Sequence, residues 1–532
     1  MERSILRGAF ILTAAAFIIK VLSAVYRLPY QNLAGDIGFY VYQQVYPFYA
    51  FAVTMAGFGF PVVLSRMISE ARMKQGQKGV QTVFATAASV LSIVGLFLFL
   101  LLFLGAPFIA SLMQDALLVK PLHMISFIFL WMPLLALFRG YFQGLQDMKP
   151  TGISQVAEQA LRVTLILGLS FYLFYKGSGP YTFGTAAAFG SMIAPVASTF
   201  FLLLFFYKTK GSSRPQIQWH WDFKVVKRFL FEGLAYTVAS LAIVLFQFVD
   251  TLTLVPFLND QVNAARELKG IYDRSFPFIQ MGMMTAVALA TSAVPVLAQI
   301  KGESKEHVTQ WRQPLRLAII FGSAAAVGLF LIVKETNIFL FEDSSGSLTL
   351  AIMVLNILSA SIIITSATQL QGLGRIWLPM ILMVAAACVK LGLNGLLIPS
   401  MGILGAGLAT TMSLFGLSLL LLGILKKEWR MRLFHWKEYG VLGMANLLIM
   451  VVVFLWKTLL HGFVFQGHQG RIEAGLIALS SAVWGGFIFL FFIARKGLLE
   501  KEDIEQFPFG GMMVKLLFKN QSVRRSSDVG ND

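Results

Sequence analysis

The chain has 532 residues, 57% of them hydrophobic and only 13% charged, and its mean hydropathy is +0.73. Soluble domains carry about 25% charged residues, so this composition excludes an ordinary soluble protein and makes the bilayer the solvent. Lys and Arg (43) outnumber Asp and Glu (26) for a formal charge of +17, yet no loop is long enough for a basic recognition domain, so nucleic acid is excluded as a partner and the charge reads as membrane orientation with contact to anionic lipids.

A span needs roughly 20 apolar residues to cross about 30 Å of hydrocarbon, and cutting the chain at its polar breaks gives fourteen predicted transmembrane helices. The first six run Gly8 to Leu28, Phe39 to Ser65, Thr82 to Leu104, Leu122 to Gln143, Gly152 to Tyr175 and Phe183 to Tyr207. After a basic stretch come Phe229 to Val255, Ile271 to Leu297, Leu315 to Val333, Leu348 to Leu370, Ile376 to Ile398 and Ile403 to Leu425. Tyr439 to Leu460 and Ile472 to Ala494 complete the set. The fold class expected is an all-α polytopic membrane protein.

With the N-terminus inside, 31 of the 43 Lys and Arg fall in predicted cytoplasmic segments, 8 outside and 4 within spans. Cytoplasmic loops are enriched in both residues, so both termini are expected to be cytoplasmic. The first span lacks a small-residue cleavage site, and no removable signal peptide is expected. The single cysteine, Cys388, lies in an apolar span and reads as a buried packing residue, so neither a disulfide nor a thiolate metal site is predicted. The six histidines form no metal-spaced cluster and no phosphate-binding Gly-rich loop precedes a Lys-Ser or Lys-Thr, so neither metal, cofactor nor enzymatic chemistry is expected.

Internal repetition organises the spans. Phe142-Gln143-Gly144-Leu145-Gln146 near span four is followed by Pro150 and Arg162, and Leu370-Gln371-Gly372-Leu373-Gly374 near span ten by Pro379 and Lys390. In both copies the cation stands eighteen positions after the glycine of Gln-Gly-Leu. Gly57 to Pro61 against Ala290 to Pro295, and Gly184 against Gly405, echo the repeat at a similar offset of six spans. An offset of six spans is even, so the repeats are parallel. The predicted organisation is an N-lobe over 1–207, a basic linker over 208–228 with Trp219 and Trp221 at the interface, a C-lobe over 229–425, two appended helices with their basic loop over 426–497, and a cytoplasmic tail over 498–532.

These motifs, with Lys20-Val21-Leu22-Ser23-Ala24-Val25-Tyr26-Arg27 and Tyr272-Asp273-Arg274 followed by Pro277, resemble the multidrug, oligosaccharidyl-lipid and polysaccharide exporter superfamily. The likeness runs over nearly the whole chain and is to the polysaccharide branch that holds the MurJ, SpoVB and YabM groups. It implies a MurJ- and MATE-like fold of two six-helix lobes around a cationic cavity, with two further helices forming a lipid groove. It also implies a flippase that moves an undecaprenyl-diphosphate-linked glycan outward by alternating access in a bacterial inner membrane. A polymerase or glycosyltransferase would be a partner, and Na+, H+ or the membrane potential would drive transport. Two departures bear on the substrate: residues 49–54 carry no arginine where MurJ proteins have one, and Lys20 replaces a family arginine. Lipid II is thereby a narrower reading than a lipid-linked glycan.

Ionisable groups inside a bilayer cost at least about 2.5 to 3.5 kcal/mol and mark partners or wet cavities. Lys20, Arg27, Arg162, Arg274 and Lys390 are therefore candidate contacts for an anionic diphosphate, which arginine grips in bidentate fashion. Glu158, Asp250 and Asp273 are candidate ion-coupling acids, and Glu158, four residues before Arg162, is predicted to pair with it. Asp273 and Arg274, adjacent on a helix, need separate partners. Arg66 and Arg139 read as snorkelling anchors at cytoplasmic ends. Tyr42, Gln43, Tyr46 and Tyr49 offer a polar aromatic face to sugar rings. Gly57, Gly59 and Pro61 predict a bend in span two, and Pro133 and Pro277 bends in spans four and eight. Two other readings stand: an ion-coupled drug or cation antiporter, favoured by Asp250 and Glu158, and a non-transporting scaffold of an envelope-synthesis or sporulation complex, for which the buried cations would be dispensable.

Overall fold

The computed structural model describes residues 26–208, 223–258, 262–283, 305–429, 433–465 and 470–499, with a few isolated positions before them. All regular structure among the described residues is helical, because apolar side chains over a span's length leave the backbone no partner but itself in lipid. The first lobe is built from α1 (Arg27–Thr54), α2 (Phe60–Leu112), α3 (Val119–Ser126), α4 (Ile128–Gly144), α5 (Lys149–Tyr175), α6 (Pro180–Ile193) and α7 (Pro195–Lys208). The second holds α8 (Phe223–Ser240), α9 (Ala242–Phe257), α10 (Val262–Asp273), α11 (Lys305–Phe341), α12 (Ser347–Val354), α13 (Asn356–Gly372), α14 (Trp377–Met401) and α15 (Ile403–Trp429). A pair, α16 (Trp436–Leu459) and α17 (Arg471–Arg495), packs on α11.

Among the described residues ten helices are long and apolar enough to cross a membrane, or eleven when α8 and α9 count as one broken span. One of the ten is the 86-residue run from Arg27 to Leu112, which contains predicted spans two and three and breaks at Gly76 (φ 61°, ψ −143°). Most of predicted spans one and eight, the linker, the tail and the second glycine-proline echo lie outside the described residues. The bend expected near Gly57 is present as a single wide π-type turn over Met55–Gly59, which joins α1 to α2 just before Pro61.

The repeat is visible in backbone detail. Both Gln-Gly-Leu segments end a helix at the glycine, and the residue two positions later takes a left-handed conformation, Gln146 at φ 63° and Gly374 at φ 80°. The Asp147 N–H then donates to the Phe142 carbonyl (3.0 Å) and the Arg375 N–H to the Leu370 carbonyl (2.8 Å), closing the same capping loop. The helices before these turns are interrupted at Phe127 and at Leu355, which stand 228 positions apart, as do Gly144 and Gly372.

Cores form within each lobe and across them. Phe60, Leu64, Phe84, Phe138 and Tyr141 fill the first, Phe246, Leu370, Met383 and Leu421 the second, and Tyr40, Val45, Leu254, Tyr272 and Met353 belong to a core shared by both. The lobes meet at two ends of the bundle. At one, α10 lies on α1; at the other, α2 crosses α8, where Phe60 packs on Phe229 with ring centroids 5.1 Å apart. Large apolar side chains on the outside are exposed, as lipid contact requires: Ile381, Val384, Val389 and Leu391 make such a face on α14. Cys388 is exposed on that helix and not buried, since the inward face there is made by Pro379, Met383, Ala386, Lys390, Asn394 and Ile398.

Candidate functional site

Among the described residues, three groups of buried charge lie within and between the lobes, and each gathers residues from several helices. In the first lobe, Arg162 on α5 is 3% exposed and surrounded by tyrosines. Its guanidinium lies over the Tyr49 ring, 4.0 Å from the centroid, while Nη2 donates to the hydroxyls of Tyr26 (3.0 Å) and Tyr42. Nε donates to Ser191 Oγ (3.1 Å), and Nη1 reaches Gln159 Oε1 at 3.4 Å. Arg27, at the start of α1 and 2% exposed, lies over Tyr46 at 4.9 Å. Its Nε and Nη1 are buried with no hydrogen-bond partner among the described residues. Cation–π contact and neutral hydroxyls stabilise these guanidinium groups without cancelling their charge. Among the described residues neither arginine has a carboxylate in ion-pair range.

Glu158 does not pair with Arg162. Its carboxylate accepts from Arg139 Nη2 at 2.7 Å, and Arg139 also donates to Ser198 Oγ (2.7 Å) and reaches Ser154 Oγ and the Ala56 carbonyl at 3.4 Å. Arg139 is 1% exposed, a buried ion-pair partner and not a snorkelling anchor. The four-residue spacing of Glu158 and Arg162 permitted a pair on one helix; α4, packed beside α5, supplied a cation with three further acceptors. Arg66, in contrast, remains at the surface and pairs with Glu70.

The second lobe neutralises its own deep cation. Lys390 on α14 and Asp250 on α9 are both fully buried, and Nζ donates to Asp250 Oδ2 at 2.6 Å and to the Phe246 carbonyl at 2.9 Å. The Tyr272 hydroxyl donates to the same Oδ2 (2.8 Å), and the Asn394 amide reaches Asp250 Oδ1 (3.2 Å) and Thr253 Oγ1 (2.8 Å). Arg162 and Lys390, 228 positions apart, thus occupy matching places with opposite electrostatic outcomes: one keeps its charge and the other is cancelled.

The third group joins the lobes. Arg274, 1% exposed, holds Asp36 of α1 through Nη2 (2.7 Å) and Nε (3.1 Å), and Asp343 from the α11–α12 connection through Nη2 (2.8 Å) and Nη1 (2.9 Å). Asp273 goes its own way, as adjacency required, and takes Lys269 one turn earlier at 2.5 Å. Nearby, Arg266 pairs with Asp115 (3.0 Å), which also accepts from Tyr40 (3.1 Å) and Tyr181 (2.5 Å). Arg274 is therefore placed in a latch between lobes and not on an open cavity wall. Burial pushes the Asp343 carboxyl upward, but the Arg274 guanidinium and the Ser345 backbone N–H outweigh it and hold that carboxyl below the ordinary value.

Of the remaining candidates, Lys20 lies outside the described residues. Tyr42, Gln43 and Tyr49 are buried, and Tyr46 is partly so. The tyrosines pack edge to face on one another and present ring faces to Arg27 and Arg162. Asp36, Asp115, Lys269 and Asp343 were missed by sequence reasoning, and Arg139 was read only as an anchor. The one usable signal was at Arg139, whose flanks Leu137, Phe138 and Tyr141 are as apolar as a span centre.

A protein-family model described as polysaccharide biosynthesis protein matches residues 5–301. The chain is 38% identical over 526 residues to the uncharacterized membrane protein YabM of Bacillus subtilis, covering 97% of each. It is 26% identical to the lipid II flippase MurJ of the same organism, covering 94% of this chain and 97% of MurJ. Among solved structures, a lipid II flippase MurJ in an inward closed conformation superposes with a TM-score of 0.66 at 15% identity, covering 90% of this chain and 98% of that one. An inward-facing multidrug resistance transporter of the MATE family superposes at 0.60 and 12% identity, covering 79% and 98%. At such identities the superpositions establish the fold alone.

Proposed function

Because the chain belongs to the polysaccharide biosynthesis protein family, in the MurJ- and SpoVB-like branch of its exporter superfamily, we propose that it is a flippase for a lipid-linked glycan with an anionic diphosphate headgroup. The observation that carries this reading is the pair of buried arginines that have no carboxylate in ion-pair range among the described residues, Arg27 with two donors that meet no partner there. A buried unmade hydrogen bond costs about 1–3 kcal/mol and more at a charged group, so a site that maintains one is built for an anion that comes and goes. Phosphate oxygens fit a guanidinium fork, and the tyrosine hydroxyls around Arg162 supply neutral groups that reorient toward an incoming ligand. The substrate proposed is an undecaprenyl-diphosphate-linked glycan.

The cation antiporter reading loses its support at the acids. Asp250 and Glu158 are each held by a buried cation, Lys390 and Arg139. The scaffold reading makes Arg27 and Arg162 dispensable and is tested together with the flippase. Lys and Arg counts put the latch of Arg274, Asp36 and Asp343 on the outer side, so the lobes are read as closed outward. Cycling would then be driven by Na+, H+, the membrane potential or consumption of the flipped lipid by a polymerase or glycosyltransferase.

The test is complementation in a bacterium depleted of its lipid-linked-glycan flippases. Wild type is expected to restore growth, and Arg27→Ala and Arg162→Ala, inserted at normal levels, to fail. Rescue by both variants would sink the anion site while leaving the flippase. A wild type that never rescues, with any lipid-linked precursor, would sink the flippase.

A further inference from the structure

The second lobe contains a charge centre that recognition of an anion does not use. One carboxylate, Asp250 on α9, accepts directly from Lys390 and Asn394 of α14 and from Tyr272 near the end of α10, and around these stand the Phe246 carbonyl, which accepts from Lys390, Thr253, which accepts from Asn394, and Thr410 on α15, bonded to the Tyr272 hydroxyl (3.0 Å). What converges there is largely oxygen: a carboxylate, a main-chain carbonyl, hydroxyls and an amide. The Asn394 Oδ1 atom, on the amide whose nitrogen donates to Asp250 and Thr253, is buried and has no partner among the described residues. Oxygen ligands with one negative charge in a closed, water-poor cleft are the donor set of a hard monovalent cation. In this chain the positive charge arrives on the Lys390 side chain, whose ammonium is fully buried and bonded to the carboxylate and the carbonyl.

We propose that the cleft on Asp250 is a monovalent-cation cradle whose cation is the tethered ammonium of Lys390, so that the native lobe takes up no alkali cation there and a chain lacking that ammonium binds Na+. The pair is fully buried, and removing one partner of such a pair leaves an uncompensated charge that demands a counter-ion. The free Asn394 oxygen, the Phe246 carbonyl and Asp250 are then the ligands a small cation would meet. This deepens the transporter reading, because it removes one candidate site for the driving ion. Its test does not depend on transport.

The experiment is thermal unfolding of the full-length purified protein in choline chloride, NaCl and KCl at equal concentration. Wild type is expected to melt at one temperature in all three. Lys390→Ala and Lys390→Asn are expected to melt lower in choline and to recover by several degrees as Na+ is added, saturably; Asp250→Asn combined with Lys390→Asn should show no such recovery. If a Lys390 variant has no cooperative transition in choline, its return in NaCl supports the cradle and its absence in every salt overturns it. A wild type raised by Na+ in an Asp250-dependent way would also overturn it, because the seat would then be open to external cations. Failure of wild type to complement, with these salt effects present, would count against the flippase and not against the cradle.

Discussion

At the scale of residues, two buried arginines of one lobe obey opposite rules. Arg139 is paired with Glu158 at 2.7 Å, and deleting one member of a buried pair costs about 3–5 kcal/mol. Arg27 has two donors with no partner among the described residues, so its charge is a liability to the fold in the absence of an anion. Glu158→Ala should therefore lower the melting temperature strongly, whereas Arg27→Met should melt no lower than wild type and yet fail in complementation. A large destabilisation by Arg27→Met would mean that the guanidinium is a structural tie. Sequence reading located the deep cations Arg162 and Lys390, because an ionisable group inside an apolar run is conspicuous. Their partners were not legible. Which acid meets which base depends on the neighbouring helix, as Arg139 shows by taking Glu158 from the nearer Arg162, and Cys388 faces outward because its position around α14 is set by packing and not by hydropathy.

At the scale of elements, the duplicated turn after α4 and α13 offers a sign test. Both turns need a left-handed residue, filled by Gln146 in one copy and Gly374 in the other. A side chain there costs about 1–2 kcal/mol that glycine does not pay. Gln146→Gly is expected to raise the melting temperature, and Gly374→Ala to lower it by a comparable amount; equal signs would show that the two turns are not equivalent. Close approach of α2 to α8 makes a second demand. A Cβ at Gly59 would meet the Thr237 hydroxyl, and one at Gly233 the Phe60 ring. Overpacking of this kind costs typically 1–3 kcal/mol, so Gly233→Ala should destabilise the protein in unfolding assays even though alanine is the better helix former. Gly59 was readable as part of a bend in span two. That it also stands at the crossing between lobes was not, because long-range contact leaves no local pattern.

At the scale of the whole molecule, the two lobes are clasped by Arg274, whose partners come from residues 36 and 343, far from it in sequence and on different sides of the clasp. The sequence singled out Arg274 from its motif but gave no sign of Asp36 or Asp343, which sit between spans where charge is ordinary. Asp343 titrates below its usual value, so its contribution is fully present above about pH 3.9 and is lost as pH falls through the lowered folded value. Melting temperatures of wild type and Asp343→Asn should therefore converge as the solution is acidified below that range, and curves that stay parallel would remove Asp343 from the clasp.

The clasp also makes a prediction about motion. Ser275, next to Arg274, is fully buried while Arg274 is held. Replacing both Asp36 and Asp343 by asparagine leaves Arg274 with a buried, uncompensated charge, a condition relieved when the lobes part and water enters. A cysteine placed at Ser275, with Cys388 changed to alanine because it is the chain's other thiol and is exposed, reports that event. In the otherwise native protein a membrane-impermeant maleimide applied from outside is expected to label it slowly. With both aspartates neutralised, labelling should accelerate several-fold from the outside and not from the inside. Unchanged labelling would show that Arg274 is a static tie and that the lobes are held by the packing of α10 on α1, where Gly270 leaves no room for a side chain against the backbone of Asp36.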